Sequence, residues 1–325
     1  MIARPHLQKL VERARLLPPL PAAMVFPVDR DSLQLALSGA FAGYLAPTLV
    51  GPESRIRDAA NRAGLDISRL SIVDTPDEPR AASQRAVLLA REGKVSGIVR
   101  GSLAHEHLLA PIAEPSTGLR GERRLSHAMF LDLPGQSRFL LLADACLNVA
   151  PTLAAKKDIL VNTLELAQAL GVTAPHVALL AAKTIVAPAF PSTSEASALR
   201  SMAAQGEFPA AIVDGPLTID VALNADAARL HGMKSDVAGR ADCLIAPTME
   251  AAAMVLHTLT AITGGLAAGV VLGASVPIIA PSPRDPIEVR IASCVLASLL
   301  VAAKAPAHQA APVNAEPARV AGLAA

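Results

Sequence analysis

Short runs rich in β-branched residues alternate with helical stretches along nearly the whole chain, and this alternation limits the fold more than any other feature. The runs at 23–28 (AMVFPV), 46–51 (APTLVG), 70–74 (LSIVD) and 95–101 (VSGIVRG) read as strands, and 32–43, 53–64 and 79–94 between them read as helices. Strands separated by helices of about ten or more residues form βαβ units, which require parallel pairing. Two further runs, LSHAMFLDLP and SRFLLLADA, are separated only by a short turn, so they are expected to pair antiparallel at a sheet edge. After Asp144 the alternation restarts. Strands are expected at 176–182, 210–215, 242–247, 268–273 and 276–281, with helices beginning near Thr152, Ser192, Thr218, Thr248 and Asp285. The pattern is that of an α/β protein with two doubly wound halves and mostly parallel sheets.

Composition narrows the function. The chain has 325 residues, 52% hydrophobic but only 2% aromatic, so its core is built from Ala, Val, Leu and Ile and it lacks platforms for base stacking. Lys plus Arg number 29 against 28 Asp plus Glu, so neither a nucleic-acid nor a membrane-surface partner is expected. Cys146, Cys243 and Cys294 are far apart and lie beside apolar residues, which reads as buried free thiols in a reducing cytoplasm. There is no CxxC or HExxH pattern, and His105 and His107 at i, i+2 would not share a helix face, so no metal is expected.

The basic N-terminal stretch is unlike a secretory signal. Residues 251–283 carry no charged side chain, but Gly264, Gly265, Gly269 and Gly273 interrupt them. A buried helix, a glycine turn and a buried strand are expected there rather than a membrane span. The Pro- and Ala-rich tail at 305–325 lacks apolar periodicity and reads as disordered.

Most of the strand-like runs end in polar or turn residues and lead into a helix. In open parallel sheets such carboxyl ends carry the ligand. The sharpest case is VPIIAPSPRDP at 276–286. There a buried strand ends in a hydroxyl (Ser282), a guanidinium (Arg284) and a carboxylate (Asp285) held between prolines. Capping of the next helix explains these residues as well as a site does. Arg100-Gly101-Ser102 again puts a cation and a glycine at a strand end, where backbone N–H groups can approach an anion. Arg123 and Arg124 precede an edge strand and only one of the two would face a cleft. Ser192 and Glu195 have capping-box spacing, with Thr193 between them, and Asp214-Gly215-Pro216 is a turn signal. GGLAAG is not GxGxxG and lacks an acidic residue about twenty positions on that is not part of another motif, so a nicotinamide cofactor is poorly supported.

Taken in order, ERRLSHAMFLDLP…LLLADACLNVAP, FPSTSEASALRSMAAQGEFPAAIVDGPLTIDVAL, VAGRADCLIAPTMEAAAM and AAGVVLGASVPII resemble the phosphate acetyltransferase/butyryltransferase family, from about Pro19 to Ala303. The nearest likeness is to the transferase part of bifunctional enoyl-CoA hydratase/phosphate acetyltransferase proteins. The resemblance implies two α/β domains of the isocitrate/isopropylmalate dehydrogenase-like kind around a cleft, the first formed by 1–147 plus 278–304 and the second, inserted, by 148–277. It implies a homodimer that interconverts acyl-CoA plus inorganic phosphate with acyl phosphate plus CoA, with CoA as substrate and no permanently bound cofactor. Ser282 would then hydrogen-bond the reacting acyl group and Asp285 would deprotonate the CoA thiol. Arg284, Arg100, Gly101, Arg124, Ser192, Thr193, Asp214 and Gly215 would serve substrate and phosphate, with Arg100 and Arg284 converging on one anion. Three departures stand out. The family commonly has Ser-Arg where this chain has Ser282-Pro283, Glu-Ala-Gly-Asn where it has Glu250-Ala251-Ala252-Ala253, and Lys-Gly where it has Arg100-Gly101. They keep open a relative that binds these ligands without turnover. A two-domain dehydrogenase is the more distant alternative.

Overall fold

A computed structural model of the chain describes residues 4–282 and 284–304. The tail expected to be disordered, and Pro283, lie outside the described residues. The first half runs α1 (Pro5–Ala14), β1 (Leu20–Val25), α2 (Arg30–Phe41), β2 (Leu45–Gly51), α3 (Glu53–Ala63), β3 (Ser71–Asp74), α4 (Pro79–Arg91), β4 (Gly97–Arg100) and α5 (His105–Ala113). Then come β5 (Ser126–Asp132), β6 (Leu140–Ala143), α6 (Leu153–Ala169), β7 (His176–Leu180), α7 (Pro191–Ala204) and β8 (Ile212–Leu217). The chain continues through α8 (Ile219–Leu223), α9 (Ala225–Leu230), β9 (Cys243–Ile245), α10 (Met249–Thr263), β10 (Leu266–Leu272), β11 (Ile278–Ile279) and α11 (Ile287–Lys304).

The strands form a single eleven-stranded sheet in the order β3-β2-β1-β4-β11-β10-β5-β6-β9-β7-β8. Its outer parts are parallel, as the βαβ alternation requires. β5 and β6 do pair antiparallel, but they lie in the interior of the sheet, not at its edge, because β10 pairs antiparallel on the far side of β5. Strand direction therefore reverses at each step across the middle of the sheet, from β11 to β10, β5 and β6, so the two parallel parts run in opposite directions. Such a reversal opens a crevice at strand ends.

Small aliphatic residues fill both faces. Ala128, Phe130, Leu141, Leu160, Leu164 and Val270 sit in the largest core cluster, and Met24, Leu33, Leu49 and Ile56 belong to another. Helix α11 joins the two: Cys294 and Ala297 pack with the β1–β2 side, while Val295, Leu296 and Leu299 pack with α6 and β10. The helix therefore touches elements of both halves: α1, α2 and β11 on one side, α6 and β10 on the other. It is apolar on nearly every face and so satisfies both sides at once.

The N-terminal helix is pinned at both ends. The Asp132 carboxylate accepts the Leu7 N–H at 2.8 Å, satisfying a free donor of the first turn. Arg13 in turn donates to the last carbonyls of α6, Leu170 at 2.5 Å and Ala169 at 2.9 Å.

Helix α10 also departs from expectation. It was read as buried, yet Ala252 is its one buried residue, and Met254 and Ile262 are 71% and 79% exposed. An uncharged sequence signals burial but does not say whether the cover comes from the same chain. No helix among the described residues is long and apolar enough to cross a membrane.

Candidate active site

The crevice at the sheet reversal holds a cavity of about 390 Å³. Arg100 enters it from the end of β4, Ala280 to Ser282 from the end of β11, and Asp285 from the turn before α11. His127 and Met129 come from one face of β5, as the two-residue period of a strand demands. Ala267 and Gly269 stand on the adjacent strand β10, with Gly269 paired to Met129. Cys146 follows β6, and α10 closes one side with Leu256 and His257.

The turn at 282–285 is held by its own polar groups. The Ser282 N–H donates to the Asp285 carboxylate at 2.8 Å, and the Arg284 N–H donates to the Ser282 hydroxyl at 3.2 Å. Residues that could have served only to start a helix thus do make local bonds, and two of them, Ser282 and Asp285, also line the cavity. Arg284 is exposed and outside the lining.

Arg100 is buried. It donates to the Pro281 carbonyl, and its Nε is buried with no partner. Burial draws its pKa below the ordinary value, opposed by Cys146 and Asp285. Gly101 serves the backbone. A Cβ there would lie 2.3 Å from the Val25 carbonyl oxygen, and its N–H already donates to that oxygen at 2.9 Å. That donor is therefore engaged by β1 rather than left open to an anion.

The remaining candidates lie elsewhere. Arg124 borders a separate depression with Asn148 and Thr152, at the start of α6. Thr193 is buried, donating to the Phe190 carbonyl at 2.7 Å and accepting the Ala187 N–H at 3.0 Å. Ser192 and Glu195 do not form a capping box. Phe190 takes the cap position ahead of Pro191, and Glu195 is drawn to the buried Lys156 of α6. Asp214 and Gly215 lie on edge strand β8, where Gly215 lets the backbone approach Leu179 and Asp214 faces Arg200 at 3.4 Å. None of these six lines the cavity.

Sequence reasoning missed His105, His127, Cys146, His257 and Ser293 in the lining. Two of them, His127 and Cys146, share one anchor, Asp144, whose buried carboxylate accepts N–H groups from His127 (3.2 Å), Cys146 (2.8 Å), Leu147 (2.9 Å) and the Asn148 side chain (2.6 Å). It ties the loop after β6 to the start of β5. Burial pushes the Cys146 thiol up and pulls His105 down, the latter helped by Arg100. The available signal was the i, i+2 pairing of His127 with Met129 on a strand.

Comparison with known proteins agrees with the architecture. Residues 77–296 match the family described as "Phosphate acetyl/butaryl transferase". A phosphate acetyltransferase from Rhizobium meliloti is 41% identical over 303 residues, covering 93% of this chain and 96% of its own. A phosphate butyryltransferase from Clostridium acetobutylicum is 32% identical over 262 residues, covering 81% and 87%. Among solved structures, a branched-chain phosphotransacylase from Enterococcus faecalis superposes with a TM-score of 0.75 at 26% identity, covering 87% of this chain and 99% of that one. The chain belongs to the phosphate acetyl/butyryltransferase family.

Proposed function

We propose that the chain interconverts a short-chain acyl-CoA and inorganic phosphate with the acyl phosphate and CoA, using the cavity at the sheet reversal. The observation that carries this reading is the meeting of a buried guanidinium, a hydroxyl and a carboxylate, from Arg100, Ser282 and Asp285, on one cavity. In the direction of thioester synthesis, Asp285 takes the proton of the CoA thiol and the sulfur attacks the acyl phosphate carbonyl carbon. The carbonyl π pair moves onto oxygen, where the Ser282 hydroxyl donates a hydrogen bond. The oxyanion collapses, the bond from carbon to the phosphate oxygen breaks, and phosphate leaves with that pair toward Arg100. Arg284, the exposed neighbour of Asp285 in the turn, adds a second positive charge. Phosphate attack on the thioester follows the same path backwards.

The site draws its lining from both of the halves 1–147 with 278–304 and 148–277. The exposed apolar side chains of α10 suit a second copy of the chain, so the working form is a homodimer. Three free thiols suit the cytoplasm. No bound cofactor is required, since CoA enters as substrate.

The test is CoA release from acetyl-, propionyl- and butyryl-CoA, with and without phosphate. Release that requires phosphate and collapses in Asp285→Asn supports the reading. Release independent of phosphate, or none from any of the three thioesters, overturns it.

A further inference from the structure

We propose that His127 is a further catalytic residue: its Nε2–H donates a hydrogen bond to the acyl carbonyl oxygen as that oxygen gains negative charge. The assignment rests on the reaction proposed above for the same cavity.

His127 lines the cavity but is only 9% exposed. Its backbone N–H is fixed by Asp144 at 3.2 Å. Its ring lies against Gly269, where a Cβ would come within 2.4 Å of Cε1 and 2.5 Å of Nε2. The glycine on β10 thus makes room for this imidazole. Its Nδ1 is sealed from solvent and has no partner. Burial pushes the ring down to about 4, opposed by Asp144 and helped by His105, so it is neutral at physiological pH.

A neutral imidazole carries one N–H. On Nδ1 that donor would be buried and unpaired, which folded proteins avoid more strictly than an unpaired acceptor. The proton therefore belongs on Nε2, leaving a neutral donor for the cavity. A phosphate dianion has Arg100 for its charge. The value of a fixed neutral donor lies in meeting charge that develops during reaction, away from bulk water. Met129, Ala145, Leu256, Ala267 and Ala280 supply apolar walls around it. With the Ser282 hydroxyl it forms a pair of donors for one oxyanion. The titratable groups that face or adjoin the ring are Asp144 and Cys146 after β6, His105 at the start of α5, Arg100, His257 on α10 and Asp285.

The experiment compares His127→Ala with His127→Gln, whose amide can place an N–H near the Nε2 position. The readouts are kcat and the phosphate KM for acetyl- and butyryl-CoA. Loss of the donor is expected to lower kcat by about 10²–10³-fold, with phosphate KM changed by less than about threefold. Gln is expected to recover at least about tenfold of the loss. A kcat within about threefold of wild type in the Ala variant, or a phosphate KM that rises in step with the loss, overturns the assignment. Nitrogen NMR of the wild-type imidazole decides independently of variant folding. A neutral Nε2–H tautomer near neutral pH supports the assignment, and an Nδ1–H tautomer or an imidazolium overturns it. Failure of the parent reading has a different signature: wild-type chain that releases no CoA from any thioester overturns both, whatever the tautomer.

Discussion

The Asp285 carboxylate accepts the Ser282 N–H at 2.8 Å, and the Asp285 N–H returns to the Ser282 carbonyl at 3.0 Å. The two residues hold each other, so the turn after β11 presents both to the cavity as a unit. One carboxylate oxygen, Oδ2, is occupied by that bond, which leaves Oδ1 for the proton transfer proposed above. Asp285→Asn is expected to lower turnover of acyl phosphate and CoA by about 10²-fold, the scale of a positioned base. Raising the pH toward the ordinary thiol pKa of about 8.5 restores part of the loss, because CoA then supplies its own thiolate. Initial rates at neutral and alkaline pH check this. Full activity of Asp285→Asn at neutral pH moves the base elsewhere, with Glu288 the next candidate.

Arg100 offers a buried Nε–H without a partner, and arginine keeps its charge at any working pH. A charge-assisted hydrogen bond is worth about 1.5–3 kcal/mol. Arg100→Ala is therefore expected to raise the apparent phosphate constant at least about tenfold, and Arg100→Lys to recover only part of it, because an ammonium lacks the planar fork. Arg284→Ala is expected to change the same constant by about threefold, since an exposed charge is screened. Phosphate saturation curves for the three variants check the ranking. An unchanged constant in Arg100→Ala removes that residue from the anion site.

Cys146 shares the cavity with Arg100 and Asp285, whereas Cys243 and Cys294 are buried in the core. Burial raises the Cys146 thiol and pushes Cys294 up to about 12, so neither is a ready nucleophile. Iodoacetamide is expected to alkylate Cys146 first, more slowly than free cysteine, and saturating CoA is expected to protect it. Cys146→Ser should keep kcat within about threefold, because the reaction does not pass through this thiol. Peptide mapping after timed alkylation gives the order. Equal labelling with and without CoA takes the substrate out of this cavity.

His127 also sets an acid limit on stability. Its folded pKa is about 4, against an ordinary 6.5. Between those values the unfolded chain binds more protons, so stability rises with pH and is lost as pH falls from about 6.5 through 4. At 1.36 kcal/mol per unit the full effect is about 3 kcal/mol, and His105 shifts in the same direction. Denaturant midpoints for wild type are expected to fall across this window, and those of His127→Gln to fall less. Parallel pH profiles would show that the proton uptake belongs to other groups.

The sequence by itself determined the parallel parts of the sheet. β1, β2, β3 and β4 are short β-branched runs separated by helix-length segments, and a chain so patterned can pair those strands only in parallel. It also marked Arg100, Ser282 and Asp285, because each stands at a strand end among turn residues, a signal contained within a few positions. The place of β5 and β6 in the sheet interior was not written locally. It depends on β10, more than a hundred residues later, pairing along β5 from Asp132 to Ser126. The same pairing brings Gly269 beside His127 and Met129 and so makes the cavity wall. His127 alone looked like one polar residue in a strand. Only the tertiary structure decided what it faces, because side-chain alternation gives two faces and long-range pairing and helix packing decide what covers each.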